Sequence, residues 1–173
     1  MAFKESIASV TNSAGTGIGA IAAWASSNNT RNNPSFNSST GDITLQFGFL
    51  NVPSGTTITG LEITVEGQGS NFAATPEIFL NNGSSNSSGI APSAAFNKSD
   101  QDVTYGGSSE LWGLSWTPTT ANAVTATIDV STIASGVLFW DYVLMRVYYE
   151  TGTGAPIKIT SGLVKITSGK ISL

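Results

Sequence analysis

The sequence predicts an all-β fold, an antiparallel β-sandwich of jelly-roll type with about eight strands, on the basis of three observations. Several short segments alternate apolar and polar residues with a period of two, which is typical of half-buried strands. Turns rich in Gly and Pro separate these segments. No convincing amphipathic helix is present, and the 173 residues include 19 Gly and 6 Pro.

The clearest strand is the one in which Leu61, Ile63 and Val65 alternate with polar residues. The most apolar run, at residues 137–149, is rich in β-branched and aromatic residues, which favours a central strand. The region around Val103 and Tyr105 is interpreted as rich in loops. The predicted strands include residues 20–25, 43–49, 61–66, 77–80, 112–116, 124–130 and 137–149.

The chain divides into three predicted parts. Residues 1–19 are expected to form an N-terminal arm, because small polar residues and glycines are too frequent there for a long helix. Residues 20–150 form the predicted β-sandwich domain. Residues 151–173 form a C-terminal β-repeat tail, in which a seven-residue unit at 157–163 is repeated at 164–170.

The tail is predicted to serve oligomerisation or docking. Each repeat offers a short strand and a Thr-Ser-Gly corner, so it cannot bury its own apolar side. We expect a homotrimer in which the apolar side chains meet at a shared axis while Lys158 and Lys165 face outward. The alternatives are addition of a strand to the edge of a neighbouring protein, and a floppy tail. The apolar residues concerned are Ile157, Ile159, Val164, Ile166, Ile171 and Leu173.

Composition excludes several functions. With no His and no Cys, the chain has no Ser-His-Asp triad, cysteine nucleophile, His or Cys zinc site or disulfide. Seven scattered basic residues against 11 acidic ones, a net charge of −4, disfavour nucleic acid as a partner. No apolar run reaches the roughly 18 residues of a membrane span. The N-terminal residues do not form a secretory signal, so we expect synthesis and retention in the cytoplasm, or release by lysis or within a particle.

No catalytic, metal-binding or cofactor-binding residue is predicted. The dinucleotide-like pattern at residues 15–20 lacks the strand and helix that such a site needs, which favours a linker. Glu62 and Glu66 share a strand face roughly 13–14 Å apart, too far for the carboxylate pair of a glycosidase. Convergence of Glu77, Glu110 or Asp141 stays open, as does a loose calcium-type loop at residues 100–106.

Four tryptophans invite two interpretations. They could form a platform on which a sugar stacks, together with the polar loops at residues 28–40 and 81–88. Their more usual role is to supply buried area to a core. Trp112, Leu114 and Trp116 would share one face of an extended segment, which favours the core. The tryptophans are Trp24, Trp112, Trp116 and Trp140.

Three segments, at residues 47–63, 105–118 and 141–149, resemble a β-sandwich module of tailed-phage virion proteins. Residues 47–63 combine an aromatic strand, a Pro-x-Gly turn and an Ile-x-Gly-Leu start to the next strand. Residues 105–118 resemble the family's Tyr-Gly-Gly, Leu-Trp-Gly and Trp-Thr-Pro motifs, and residues 141–149 its closing strand. Trp24 matches a lone Trp before an Asn-rich loop. The residues that carry this core signature are Trp24, Tyr105, Trp112, Trp116 and Tyr149.

The resemblance implies a non-enzymatic structural virion protein, made in the host cytoplasm and assembled into the particle. It favours a capsid decoration protein that binds the major capsid protein or another virion protein non-covalently. A fibre or tail module is the first alternative. The second is a glycan-binding module that attaches the particle to the host surface.

Overall fold

The computed structural model describes residues 1–13, 35–36, 42–48, 50–70, 75–129, 131, 133 and 137–152. These residues form eight strands and one short helix. The elements are β1 (Ala2–Ser13), β2 (Ser35–Phe36), β3 (Ile43–Phe47), β4 (Thr56–Gly69), β5 (Glu77–Asn81), β6 (Gln101–Gly107), α1 (Pro118–Asn122), β7 (Thr125–Asp129) and β8 (Leu138–Thr151). None of the described helices is long and apolar enough to cross a membrane.

All of the strand pairs are antiparallel, which confirms the predicted all-β antiparallel class. The strand order is β5-β7-β3-β1-β8-β4-β6, and β2 pairs with the start of β8. The sheet curls into a half-barrel because β1 belongs to both of its halves. Residues 2–7 pair with β8, whereas residues 8–13 pair with β3, and a bulge between Val10 and Asn12 interrupts this second pairing.

Three of the strand pairs are nested along the sequence. The first strand pairs with the last, β3 pairs with β7 and β4 pairs with β6. Inside these pairs, Ile78 of β5 forms an isolated antiparallel bridge with Ile90. Such nesting is the pattern of one long hairpin that has been rolled up, so segments far apart in sequence become neighbours in the sheet.

One apolar core lies between the two halves of the sheet. Leu45 of β3 and Ile128 of β7 come from one half, and Ile63 of β4 and Val147 of β8 from the other, and all four are fully buried. The alternation that predicted these strands is therefore the alternation between core and outer face. The predicted strands at 43–49, 61–66, 77–80, 124–130 and 137–149 correspond to β3, β4, β5, β7 and β8.

The structure differs from the predicted N-terminal arm at residues 1–19, because Ala2–Ser13 is a strand inside the sheet. Its inner face carries Ala2, Lys4 and Ser6, which supply little apolar pattern, and its stability comes from pairing with β8 and β3. Strand β6 was also missed, in the region interpreted as rich in loops. The predicted strand at 20–25 lies outside the described residues.

The predicted extended segment at 112–116 is wrong. Residues 108–117 form turns and coil, and Trp112 and Gly113 have φ angles of 60° and 67°. These left-handed values reverse the chain direction. Thr117 then caps α1 through a capping box with Thr120, with Pro118 in the first turn of the helix.

Candidate assembly surface

Three adjacent strands bring a charged row to the outer face of the sheet. Glu5 of β1 lies opposite Arg146 of β8, and Arg146 lies opposite Glu62 of β4. Residues two apart on a strand share a face, so Phe3 and Ile7 flank Glu5 on the same side. The surface formed by Phe3, Glu5, Ile7, Glu62, Leu144, Arg146 and Tyr148 is called the Arg146 surface below.

Two carboxylates hold the Arg146 guanidinium between them. Its Nε donates to Glu5 Oε1 at 2.7 Å, and its Nη2 lies 2.6 Å from the same oxygen. Its Nη1 donates to Glu62 Oε1 at 3.0 Å and to the Tyr148 hydroxyl at 3.3 Å. The Tyr148 hydroxyl in turn donates to Glu62 Oε2 at 3.4 Å. Arg146 is therefore fixed in one orientation by partners on both sides.

Aromatic rings cover the guanidinium. The Arg146 Cζ atom lies 4.9 Å from the centroid of the Phe3 ring and 6.0 Å from that of Tyr148, within the range of cation–π contacts. The two rings lie 6.0 Å apart at an interplanar angle of 59°. Hydrogen bonds to Tyr148 and Glu5 raise the pKa of Arg146. Burial, followed by the charge of Glu5, raises the pKa of the neighbouring Tyr142.

The Arg146 surface is accessible and partly apolar. Phe3 is 50% exposed and Ile7 41% exposed, and they stand with Met1 and Leu111 as the large exposed apolar residues of the described chain. Within the part that the structure describes, no strand pairs with residues 2–7 on the side away from β8.

The structure places the predicted core signature as follows. Tyr105 and Trp112 are 1% exposed and Tyr149 is 6% exposed, all within the core cluster. Trp116 is half-buried against that cluster, and its Nε1 donates to the Leu111 carbonyl at 2.9 Å. Trp24 lies outside the described residues. Buried Trp112 therefore offers no ring face on which a sugar could stack.

The predicted tail residues also lie outside the described residues: Ile157, Ile159, Val164, Ile166, Ile171 and Leu173. Strand β8, which precedes the tail, is described to its end, and Tyr149 pairs there with Ala2. The described part of β8 therefore ends beside the first residues of β1, close to Phe3 and Tyr148 of the Arg146 surface. A shallow groove lies where the start of β1 meets the end of β8, and it is lined by Met1, Ala2, Tyr149, Glu150 and Thr151.

The carboxylates that the sequence singled out are dispersed in the structure. Glu62 belongs to the Arg146 surface, Glu66 is buried at 5% exposure, and the Glu110 carboxylate accepts a hydrogen bond from the Trp112 backbone N–H at 2.6 Å. Asp100 and Asp102 flank the start of β6. Among the described residues, no three acidic side chains are placed to hold a metal ion.

Sequence reasoning missed the Arg146 surface, although one signal pointed to it. Arg146 is the one basic residue in the apolar run of β8, where the alternating pattern puts it on the outer face. An arginine there needs acidic partners on neighbouring strands. Its partner Glu5 is 141 residues away in sequence and lies in the segment predicted to be an arm.

No protein-family model, no curated protein and no solved structure matches this chain.

Proposed function

We propose that this chain is a structural subunit of a tailed-bacteriophage particle, in the role of a capsid decoration protein that binds its neighbours non-covalently. The observation that carries the proposal is the Arg146 surface, where half-exposed apolar side chains surround an arginine fixed by two carboxylates. Arginine and aromatic residues are enriched at the centres of protein interfaces. A fixed side chain also loses little conformational entropy when a partner covers it.

The rolled-hairpin nesting supports the jelly-roll part of the proposal. A jelly roll is a pair of facing sheets whose strands are paired in this nested way, and the architecture recurs in viral capsid and lectin domains. The strand shared by both halves and the common core between them suit such a two-layer arrangement. A fold class alone assigns no function, so this point supports the proposal only together with the Arg146 surface.

Self-association through the tail is the second part of the proposal, with a homotrimer as the expected assembly. All 11 acidic residues lie before residue 153, together with four of the seven basic ones, so residues 1–152 carry 4 − 11 = −7. The tail carries three lysines and no acidic residue. Opposite charge therefore favours contact between the tail of one chain and the body of another.

Mass spectrometry of purified virions tests the proposed location directly. We expect the chain among the particle proteins at a copy number that matches the symmetry of the capsid lattice. A copy number of a few per particle would instead favour the fibre or tail module. Absence from the particle would contradict both.

A variant pair tests whether the Arg146 surface makes the contact. Ile7→Glu places a charge on the exposed apolar part of the surface and should lower the amount of protein that rebinds stripped particles by at least tenfold. The matched control, Leu111→Glu, changes an apolar residue of similar exposure, 37% against 41%, away from β1. Equal rebinding of the two variants would contradict the assignment of the contact to this surface.

A further inference from the structure

The opposite face of the molecule holds a second feature, a groove on the outer side of β3, β7 and β5. Its volume is about 270 Å³ and it is lined by Asp42, Phe79, Asn86, Thr127 and Asp129. Phe79 lies opposite Thr127 in the sheet, and both neighbours of Phe79 in sequence point into the core. The groove therefore faces away from the Arg146 surface, across the common core.

Two carboxylates line this groove, and Glu77 of β5 lies opposite one of them, Asp129. Ile43 pairs with Ile128, so Asp42, just before Ile43, lies beside Asp129, just after Ile128. Like charges opposite each other on neighbouring strands are unfavourable. A ligand rich in hydroxyl donors would relieve that cost, because ionised carboxylates only accept hydrogen bonds.

The groove is preorganised. The Ser131 backbone N–H donates to Asp129 Oδ1 at 2.8 Å, and Asn81 Nδ2 donates to Asn86 Oδ1 at 2.6 Å. The backbone of Gly89 lies so close to Phe79 that a Cβ there would stand 2.7 Å from the ring Cζ atom. These contacts hold the aromatic ring, one carboxylate and the amide in place before any ligand arrives, which reduces the entropic cost of binding.

We propose that this groove binds a saccharide, with the Phe79 ring against the apolar C–H face of one sugar ring and with Asp42, Asp129 and Asn86 hydrogen-bonded to its hydroxyls. The volume suits a single sugar ring rather than the larger ligands of pockets in the range of roughly 300–1,000 Å³. Direct recognition of hydroxyls fits better than a metal ion, since the described residues include no group of three acidic side chains that could hold a metal ion. The site is separate from the Arg146 surface, so it neither requires nor tests the proposed assembly role.

Saturation-transfer NMR with the full chain tests this proposal. The probes are the methyl glycosides of glucose, galactose, mannose, rhamnose and N-acetylglucosamine, each measured with EDTA and with added calcium. We expect saturation transfer to at least one glycoside in EDTA, with an affinity lowered about tenfold in Phe79→Leu and in Asp42→Asn. Asp42 is exposed, so the second variant keeps the test valid if Phe79→Leu disturbs the fold.

Matched controls on the other face are Phe3→Leu and Asp102→Asn, which make the same chemical changes at exposed positions. Both should bind the glycoside as the unmodified chain does. The proposal is overturned if no glycoside receives saturation, if binding needs calcium, or if the control variants lose as much affinity as the groove variants.

Discussion

The indole nitrogen of Trp112 donates a 2.9 Å hydrogen bond to the carbonyl oxygen of Leu61, which ties the turn at residues 108–117 to strand β4. The Leu61 backbone N–H donates in turn to the Glu110 carbonyl at 2.9 Å. Trp112 reaches this position with a left-handed backbone, and its side chain is 1% exposed. The turn at residues 108–117 therefore contributes a side chain to the core and is held to β4 by hydrogen bonds in both directions.

Trp112→Phe should lower the free energy of unfolding by about 2–4 kcal/mol, because it leaves the Leu61 carbonyl without its indole donor and opens a cavity. The control is Trp116→Phe, which removes an indole donor from a half-buried site and should cost about 1 kcal/mol. Urea unfolding followed by circular dichroism measures both. Equal losses would show that burial of Trp112 does not decide its contribution.

Gly106 makes the approach of Trp112 possible. A Cβ at this position would collide with the Leu61 carbonyl oxygen and stand 2.7 Å from Trp112 Nε1, and the φ angle is +72°. Gly83 has a similar φ of +88°, and a Cβ built there would have no atom within 4 Å. The variant Gly83→Ala therefore measures the cost of the left-handed backbone alone. Gly83→Ala should cost about 1 kcal/mol, and Gly106→Ala at least about 2 kcal/mol more. Thermal unfolding of the two variants measures the difference, and similar midpoints would contradict the predicted collision.

Burial of Tyr105 predicts a loss of stability in alkali. Desolvation raises the pKa of its phenol above the ordinary value of 10.0, and its hydroxyl has no hydrogen-bond partner among the described residues. Above pH 10 the unfolded chain releases a proton that the folded chain keeps. Unfolding therefore becomes easier by about 1.4 kcal/mol per pH unit.

Tyr105→Phe should remove the part of this dependence that Tyr105 supplies, while the raised pKa of Tyr142 acts in both chains. Below pH 10 the variant should be more stable by about 1 kcal/mol, since burial of an unpaired hydroxyl is costly. Above pH 10 its advantage over the unmodified chain should grow with pH. Denaturant titrations at pH 8, 10 and 11 measure the difference. A constant difference across that range would mean that the phenol ionises freely in the folded state.

The sequence predicted the strands that are stabilised by their own apolar residues, and it missed a strand that is stabilised by pairing with distant segments. Strands β3 and β7 carry unbroken apolar alternation, and β4 and β8 carry it between their bulges, because each faces the core along most of its length. Strand β1 carries almost none, since it is held by pairing with partners at least 30 residues away in β3 and more than 130 residues away in β8. Local pattern cannot reveal a strand whose stability is non-local.

Sequence reasoning missed the Arg146 surface and the groove for the same reason. Glu5 meets Arg146, and Asp42 meets Asp129, only because the nested strand pairing brings distant segments together. The turn at Trp112 was mispredicted because a left-handed tryptophan is rare, and alternation of Trp112, Leu114 and Trp116 imitates a strand. In each case a long-range contact, and not a local conformational preference, determines the structure.

The two carboxylates around Arg146 should contribute unequally. Glu62 is 17% exposed and Glu5 38% exposed, so solvent screens the Glu5 pair more strongly although its distance is shorter, 2.6 Å against 3.0 Å. Double-mutant cycles with Arg146→Gln and either Glu62→Gln or Glu5→Gln should give a coupling near 1 kcal/mol for Glu62 and about half of that for Glu5. Both should shrink in 1 M salt. A larger coupling for Glu5 would mean that distance outweighs screening.

Deletion of residues 156–173 tests the proposed trimer. Burial of each of the six apolar side chains of the tail is worth roughly 1.5–3 kcal/mol, but ordering a residue costs roughly 1.5 kcal/mol. For a lone tail the cost of ordering therefore exceeds the energy gained by burial. Tails that meet at a shared axis, or that pair with a neighbour's strand edge, bury enough apolar area to become ordered. Light scattering should give a trimer mass for the full chain and a monomer mass for the deleted chain.

Replacement of Lys158 and Lys165 by Ser supplies the matched control for that deletion, because it removes two tail charges and keeps the apolar residues. If apolar burial holds the trimer, this variant stays trimeric in 0.5 M salt. If charge attraction to the acidic body dominates, it dissociates as the deletion does. If the full chain is an oligomer and the deletion leaves its mass unchanged, the tail does not hold the oligomer together. A monomeric full chain that rebinds particles only with its tail present would favour strand addition to a neighbouring virion protein instead.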